Sequence, residues 1–193
     1  MAKVYVFLAD GFEPLEALTP VDVLKRCGND VRLVSISDQR MVSCNLNIAV
    51  EADMTFAEGG DFADADLIVL PGGMPGAENL RKHAGLHDLV LRQNAAGKLI
   101  GAICAAPMVL GACGLAEGRR MTCFPGFEST IKGAVVTHAV VEEDGNIITA
   151  EGPAAAMPFG FALTRRLCGE AVMREWEDTM RFSHLKETLA KGC

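Results

Sequence analysis

The chain has 193 residues, of which 50% are apolar and 22% are charged. This length and composition fit one globular domain with a sizeable core and exclude general disorder. The formal net charge of −7 argues against nucleic acid or an anionic membrane surface as a partner, because phosphate groups would repel the chain. No apolar run approaches the ~20 residues that a membrane-spanning helix needs.

The N-terminal residues and the cysteines bear on the cellular compartment. The stretch Met1–Ala9 carries a single lysine and leads directly into Asp10, so it is a poor signal peptide. The seven cysteines are an odd number without a C-x-x-C motif, which favours reduced thiols over a disulfide or zinc framework. We therefore expect a cytoplasmic protein, and no ligand spacing predicts a metal site.

Four short apolar runs rich in β-branched residues predict strands that are covered on both faces, as in a parallel sheet. These runs are Val4–Ala9, Val31–Ser37, Leu67–Leu70 and Leu99–Ile103. Helical patterns occur at Leu15–Arg26, Leu86–Ala96 and residues 154–168. Alternating strands and helices predict a three-layer α/β/α domain with a mainly parallel sheet.

The C-terminal third predicts a hairpin and one less regular segment. Thr137–Val141 and Asn146–Ala150 flank an Asp-Gly turn signal, which predicts an antiparallel β-hairpin at the sheet edge. No linker or repeat divides the chain, so residues 1–182 are expected to form a single domain. Residues 183–193 are expected to be a frayed helix or a tail.

Cys104 stands between an apolar strand pattern and an apolar helix pattern, with no room for a loop. This is the layout of a nucleophile elbow, and the small residues on both sides permit the sharp turn. Unpaired N–H groups at the start of the helix would favour a thiolate. The alternative interpretation is an ordinary buried cysteine.

Two other predicted strands bring candidate groups to the same edge of the sheet. The glycines of Leu70-Pro-Gly72-Gly73 would let backbone N–H groups form an oxyanion hole with Ala105, although Pro-Gly-Gly also occurs in plain turns. Glu13 or Glu16 could reach the thiol, or could simply stabilise the first turn of a helix. The sequence lacks a phosphate-binding glycine motif, and we predict no cofactor.

The histidines do not form an obvious pair with the cysteine. His83 and His87 lie in a polar helical neighbourhood and are expected to be solvated, whereas His138 falls on the predicted edge strand. A Cys104–His138 pair stays open, because catalytic partners are defined by geometry and not by order in the chain.

Six motifs together are similar to the DJ-1/ThiJ/PfpI superfamily, and specifically to its DJ-1-like branch. The motifs are Glu13-Pro-Leu-Glu16-Ala, Pro20-Val-Asp-Val-Leu, Leu70-Pro-Gly-Gly-Met, Gly76-Ala-Glu-Asn-Leu, Ala102-Ile-Cys104-Ala-Ala-Pro and Thr149-Ala-Glu-Gly-Pro153. The resemblance implies a flavodoxin-like fold, a homodimer and a reactive Cys104 that is hydrogen-bonded by the acid of Glu16. It also implies backbone donors at Gly72, Gly73 and Ala105, and a place for Cys44 near the dimer interface. Apart from Cys104 and Cys44, the thiols are expected to be buried and inert.

Two departures from the family pattern limit the reactions that we expect this protein to catalyse. Ala105 stands where the peptidase-like branch has a histidine, which disfavours protease activity, and Phe124 replaces a histidine that some DJ-1-like members have near the cysteine. The general base is therefore Glu16 or missing. A protonated Glu16 that donates to the sulfur would stabilise a thiolate, whereas an ionised Glu16 would repel it.

Two functions follow from the resemblance. The first is a cofactor-independent glyoxalase or deglycase, in which Cys104 attacks reactive aldehydes, dicarbonyls or their early adducts and Glu16 moves the proton. The second is a redox-sensing stress protein or chaperone in which peroxide oxidises Cys104 to a sulfinate.

Overall fold

The computed structural model describes residues 1–192, so Cys193 of the predicted tail lies outside the described residues. The strands are β1 (Lys3–Leu8), β2 (Asp30–Ser35), β3 (Met41–Ser43), β4 (Ala49–Glu51), β5 (Met54–Thr55), β6 (Leu67–Leu70), β7 (Leu99–Ile103), β8 (Arg120–Met121), β9 (Val135–Val136), β10 (Val141–Asp144) and β11 (Ile147–Ala150). The helices are α1 (Pro14–Arg26), α2 (Gly76–Lys82), α3 (Ala84–Ala95), α4 (Pro107–Ala112), α5 (Ala156–Cys168), α6 (Glu170–Thr179) and α7 (Phe182–Ala190), with 3₁₀ turns at Glu128–Thr130 and Pro153–Ala155.

The central sheet has seven strands in the order β10-β11-β7-β6-β1-β2-β5, and all neighbours are parallel except β10 and β11. The four predicted core strands are present within two residues of their predicted bounds. In β1, all residues from Val4 to Leu8 are buried, as expected for a strand covered on both faces. Helices α1 and α5 pack together, and α2 packs against α3 and α4. The predicted three-layer α/β/α architecture is confirmed.

The chain order of the strands creates a crevice at one edge of the sheet. From β1 the chain builds outward through β2 to β5, and it then crosses back to place β6 and β7 on the other side of β1. In open α/β sheets, ligands collect at such a switch point, beyond the carboxyl ends of the strands. The segments after β1, β6 and β7 lie there, and they carry Glu13, Gly72 and Cys104.

The edge hairpin is present, but the predicted first strand is wrong. Residues 137–140 are irregular, and β10 instead consists of Val141, the last residue of the predicted strand, and Glu142–Asp144, which were expected to lie in the turn. Asp144 pairs with Ile147, so the turn contains only Gly145 and Asn146, and Gly145 has a φ of +61°. The acidic residues of β10 remain in the strand because arginines pair with them, including Arg120 with Glu142 at 3.0 Å.

The segment predicted as a frayed helix or tail contains helix α7 from Phe182 to Ala190. The Phe182 ring lies 5.1 Å from the ring of Phe161 on α5, and Lys186 pairs with Glu177 of α6 at 2.8 Å. Over residues 1–192, none of the helices combines the length and the apolar character that crossing a bilayer requires.

Candidate functional site

Cys104 occupies a strained corner of the backbone, directly after β7. Its φ is +64°, a left-handed conformation that is uncommon for a residue with a side chain. The Cys104 N–H donates to the carbonyl of Ala150 at 2.8 Å, and its carbonyl accepts from the N–H of Phe124 at 2.9 Å. These bonds hold the corner in place. Cys104 is 9% exposed to solvent.

Gly72 and Gly73 let the loop after β6 approach Cys104 closely. A Cβ on Gly72 would lie 2.6 Å from Glu16 Oε2 and 2.7 Å from Cys104 Cβ. Gly73 has a φ of +84°, and a Cβ there would lie 2.6 Å from the carbonyl oxygen of Gly11. Side chains at either position would push apart the loop, the helix and the elbow.

Glu16 is fully buried on the first turn of α1, an unusual place for a carboxyl group. Its Oε2 accepts the Gly72 N–H at 2.9 Å, whereas Oε1 is buried without a conventional hydrogen-bond partner. Burial raises the pKa of Glu16 to about 7, and this rise is opposed by a hydrogen-bond interaction with Cys104 and by the Gly72 N–H. A carboxyl with one satisfied oxygen is suited to carrying a proton on the other.

The Cys104 sulfur faces opposing influences. Burial, the charge of an ionised Glu16 and a hydrogen bond to that carboxylate raise the pKa of Cys104 to about 12, while the N–H groups of Gly73 and Ala105 lower it. With Glu16 ionised, Cys104 is therefore a thiol. When Glu16 is protonated, its negative charge and the hydrogen bond to its carboxylate no longer raise the pKa of Cys104. Whether the sulfur is a thiol or a thiolate therefore depends on which of the two groups holds the shared proton.

The structure brings Cys104, Glu16, Gly73 and Ala105 together, but two sequence-based expectations need correction. The Gly72 N–H donates to Glu16 and so supports the acid instead of the sulfur. Helix α4 has only six residues and begins at Pro107, so the positive influences at the sulfur are individual amides and not the end of a long helix dipole.

A cavity of about 260 Å³ opens above the sulfur. Cys104 and Glu16 lie at its base, and Phe124 and Phe127 form an aromatic wall with a ring separation of 6.4 Å. The charged side chains among the described residues that line it are both acidic, namely Glu13 and Glu16. A small uncharged molecule suits this cavity better than an anion.

The histidines lie elsewhere, and His83 differs from its expected role. The His83 Nδ1 accepts the Leu86 N–H at 3.0 Å and caps α3, while its ring lies 4.5 Å from the ring of Phe56. Burial lowers the pKa of His83. His138, in the loop before β10, does not line the cavity. Within residues 1–192 there is also no cluster of three or more His, Cys, Asp or Glu that could hold a metal ion.

Sequence reasoning missed two residues of the cavity, Asn45 and Phe127. Asn45 lies in the loop between β3 and β4, and its Nδ2 donates to Glu13 Oε2 at 2.8 Å. This loop reaches the site because Phe12 and Cys44 form an isolated parallel bridge. No local pattern around residue 45 signals this contact, since it depends on that long-range pairing.

Known proteins share this arrangement of elements. The model of the DJ-1/PfpI family matches residues 2–166. Protein DJ-1 homolog B of Arabidopsis thaliana is 40% identical over 172 residues, which cover 87% of this chain and 39% of that protein. A deglycase of Pyrococcus abyssi is 30% identical over 153 residues, which cover 78% of this chain and 90% of that protein.

The structural likeness extends over most of the chain. A cysteine-to-alanine mutant of a DJ-1 superfamily protein from Salmonella typhimurium has a TM-score of 0.89 and 38% identity, with 93% of this chain and 98% of that chain covered. The chain spans only 39% and 43% of the lengths of the two Arabidopsis thaliana relatives it matches. The family match nevertheless covers most of the sequence, and this chain belongs to the DJ-1/PfpI family.

Proposed function

We propose that the protein is a cofactor-independent enzyme that converts small reactive aldehydes and dicarbonyls, or their early glycation adducts, with Cys104 as its nucleophile. The observation that carries the proposal is a sulfur at the base of a cavity, beside a buried carboxyl group with a pKa of about 7 and two backbone N–H donors. The Pyrococcus abyssi relative is named a deglycase, which supports the same class of substrate.

With methylglyoxal as the model substrate, the reaction begins with the Cys104 thiolate, beside protonated Glu16, attacking the aldehyde carbon. A carbon–sulfur bond forms, and the carbonyl oxygen takes a proton from Glu16 to give a hemithioacetal. During this step, the N–H groups of Gly73 and Ala105 stabilise the negative charge at the base of the cavity.

Glu16 then moves a proton within the bound intermediate. As a carboxylate it removes the hydrogen from the carbon bonded to sulfur, while the hydroxyl proton on that carbon moves to the neighbouring ketone oxygen. Glu16 then returns its proton to the former ketone carbon, the carbon–oxygen double bond forms next to sulfur, and a thioester remains on Cys104. Water hydrolyses the thioester to lactate and frees the thiol, so methylglyoxal and water give lactate without an external oxidant. A pKa of about 7 suits Glu16 to both donating and accepting a proton at neutral pH.

The cavity also predicts which aldehydes react well. Glu13 would repel a substrate carboxylate, whereas the aromatic wall of Phe124 and Phe127 accommodates an uncharged group. We therefore expect the protein to prefer methylglyoxal over glyoxylate.

As part of the same proposal, the protein acts as a homodimer. Leu15, Leu46 and Ile48 are more than half exposed and lie on or next to the segments that hold Glu13 and Asn45. A second copy of the chain would cover these apolar side chains.

The decisive test is lactate formation from methylglyoxal by the purified protein. Cys104→Ala should reduce lactate formation to the rate in buffer alone, because the nucleophile is gone. Cys113→Ala is the matched control, since Cys113 is a partly buried thiol that caps the C-terminal end of α4 and does not line the cavity. Lactate formation that survives in Cys104→Ala would refute the mechanism.

A second candidate function is redox sensing at Cys104. The N–H groups of Gly73 and Ala105 that would stabilise a reaction intermediate would also bind the oxygens of a sulfinate. Mass spectrometry after mild peroxide treatment separates the two functions. Selective addition of two oxygens at Cys104, together with negligible lactate formation, would favour the sensor.

A further inference from the structure

A second group of thiols lies where the C-terminal ends of α1 and α5 meet. Cys27 caps α1, Cys168 is the last residue of α5, and both are partly buried. Cys27 follows Glu16 by eleven positions, about 16 Å along the helix axis, so this group is separate from the cavity.

The packing of α5 on α1 predicts that the two cysteines lie close together. Gly160, Thr164 and Cys168 are spaced by four residues and share one face of α5, as Val23 and Cys27 share one face of α1. A Cβ on Gly160 would lie 3.2 Å from the Val23 side chain, so the helices are close at this point. One turn further, the buried Thr164 hydroxyl donates to the Gly160 carbonyl at 3.0 Å, and Thr164 lies close enough to Cys27 to lower the pKa of that thiol. The next position on the same face is Cys168, so the helix register predicts that it lies close to Cys27.

Asn29 fixes the sulfur of Cys168 from the other side. Its Nδ2 donates to Cys168 Sγ at 3.4 Å and to the Leu24 carbonyl at 3.1 Å, and the Asn29 side chain is buried. The Cys168 thiol can in turn donate to Asn29 Oδ1 at 3.5 Å. The same amide can thus accept from the thiol or donate to a thiolate.

The two sulfurs also interact electrically. Burial is the main cause that raises the pKa of Cys27; the nearby Thr164 side chain opposes the rise, and a negative charge on Cys168 adds to it. The influence of Cys168 on Cys27 agrees with the helix register and with the Asn29 contact.

We propose that Cys27 and Cys168 form a redox-active pair that peroxide oxidises to an intramolecular disulfide. Cys168 releases its proton, and the thiolate attacks the peroxide, so that a sulfur–oxygen bond forms, the oxygen–oxygen bond breaks and the leaving hydroxide takes up that proton as water. The Cys27 sulfur then attacks the Cys168 sulfur, and the hydroxyl group departs with the Cys27 proton as a second water. In total, two thiols and hydrogen peroxide give one disulfide and two water molecules.

The disulfide would join two helix ends that are far apart in the sequence. A cross-link over such a long loop restricts the unfolded chain and stabilises the folded state. Oxidation should therefore raise the melting temperature, whether or not Cys104 acts on aldehydes.

The experiment uses the full chain with Cys104→Ala, so that oxidation of Cys104 does not interfere. The protein is treated with hydrogen peroxide or diamide, its remaining thiols are alkylated, and it is digested without reductant. We expect one linked peptide pair containing Cys27 and Cys168, and a melting temperature above that of the reduced protein.

Single substitutions provide matched controls. Cys27→Ser and Cys168→Ser should each abolish the linked pair and the rise in melting temperature, whereas Cys113→Ser should retain both. Recovery of Cys27 and Cys168 as separate alkylated or oxygenated peptides from the oxidised, folded Cys104→Ala protein would overturn the proposal. A link that forms only in urea, or only between two chains, would overturn it as well.

Discussion

Cys104 and Cys113 are both largely removed from water, yet their surroundings prepare them for different chemistry. Burial and the charge of Asp88 raise the pKa of Cys113 to about 11, and its thiol has only the His87 carbonyl, at 3.9 Å, as a weak acceptor. Cys104 has two N–H donors and a neighbouring carboxyl group that can give up a proton. From this comparison we expect burial alone to leave a thiol inert, and we expect reactivity to need a partner able to exchange a proton.

The largest expected effect comes from a substitution that fills the space between Glu16 and Cys104. In Gly72→Ala the new methyl group would lie 2.6 Å from Glu16 Oε2 and 2.7 Å from Cys104 Cβ, so it must separate them. We expect lactate formation to be lost and the free energy of unfolding to fall by about 1–3 kcal/mol. Enzyme assay and urea denaturation measure the two effects.

The control for this change is Gly97→Ala, because nothing lies within 4 Å of a Cβ at that position. Its positive φ of +67° brings some strain but no collision, so activity should be kept. If Gly72→Ala retained full activity, close contact between Glu16 and Cys104 would not be needed for the reaction.

The next prediction separates proton transfer by Glu16 from the nucleophilicity of Cys104. In Glu16→Gln the amide can still accept the Gly72 N–H and can donate to the sulfur, but it cannot move a proton. We expect lactate formation to fall by about 10²–10⁴-fold. Alkylation of Cys104 by iodoacetamide at pH 7 should continue at the wild-type rate or faster, because the negative charge that raises the pKa of Cys104 is gone.

Peptide mass spectrometry can follow alkylation of Cys104 and Cys113 in the same samples. Cys113 should react slowly in both proteins and serves as an internal reference. A decrease in Cys104 alkylation parallel to the loss of turnover would show that Glu16 mainly holds the site together and does not transfer the proton.

The structure also shows which parts of the site can be predicted from the sequence. The elbow at Cys104 and the paired glycines are local patterns, and they led to the residues that now lie together around the sulfur; their catalytic roles stay predictions. Asn45 was missed because β3 and β4 have three residues each, too few for a periodic pattern. Its place at the cavity depends on the Phe12–Cys44 bridge, which no local signal reveals.

The errors in the fold have a similar origin. The Asp-Gly signal correctly located a hairpin, but the arginines that pair with the acidic residues of β10 come from distant segments, and they let Glu142 and Glu143 lie in a strand. His83 looked like a solvated residue because its neighbours in sequence are polar. Its ring in fact packs on Phe56, which lies more than twenty residues earlier in the chain.

The smallest expected effect is on the pH dependence of the free energy of unfolding. The buried acid Glu16 beside Cys104 should cause this dependence, whereas Cys113 has no such buried acid beside it. Glu16 has a pKa of about 7 in the folded protein and an ordinary value of 4.5 when unfolded. Between these values the folded state binds more protons than the unfolded state, so the free energy of unfolding falls as the pH rises through this window. The full difference amounts to at most about 3 kcal/mol.

The measurement is the difference between wild type and Glu16→Gln in urea denaturation from pH 4.5 to pH 7.5, with Cys113→Ser as the control. Arg40 and Arg81 lower the pKa of Glu58 and Glu78 to about 2, so these two carboxyl groups titrate below the window and cancel in the difference. Wild type and Cys113→Ser should lose stability with rising pH relative to Glu16→Gln. Parallel curves for all three proteins would mean that Glu16 is already ionised at pH 4.5, and Cys104 would then have no proton donor beside it at neutral pH.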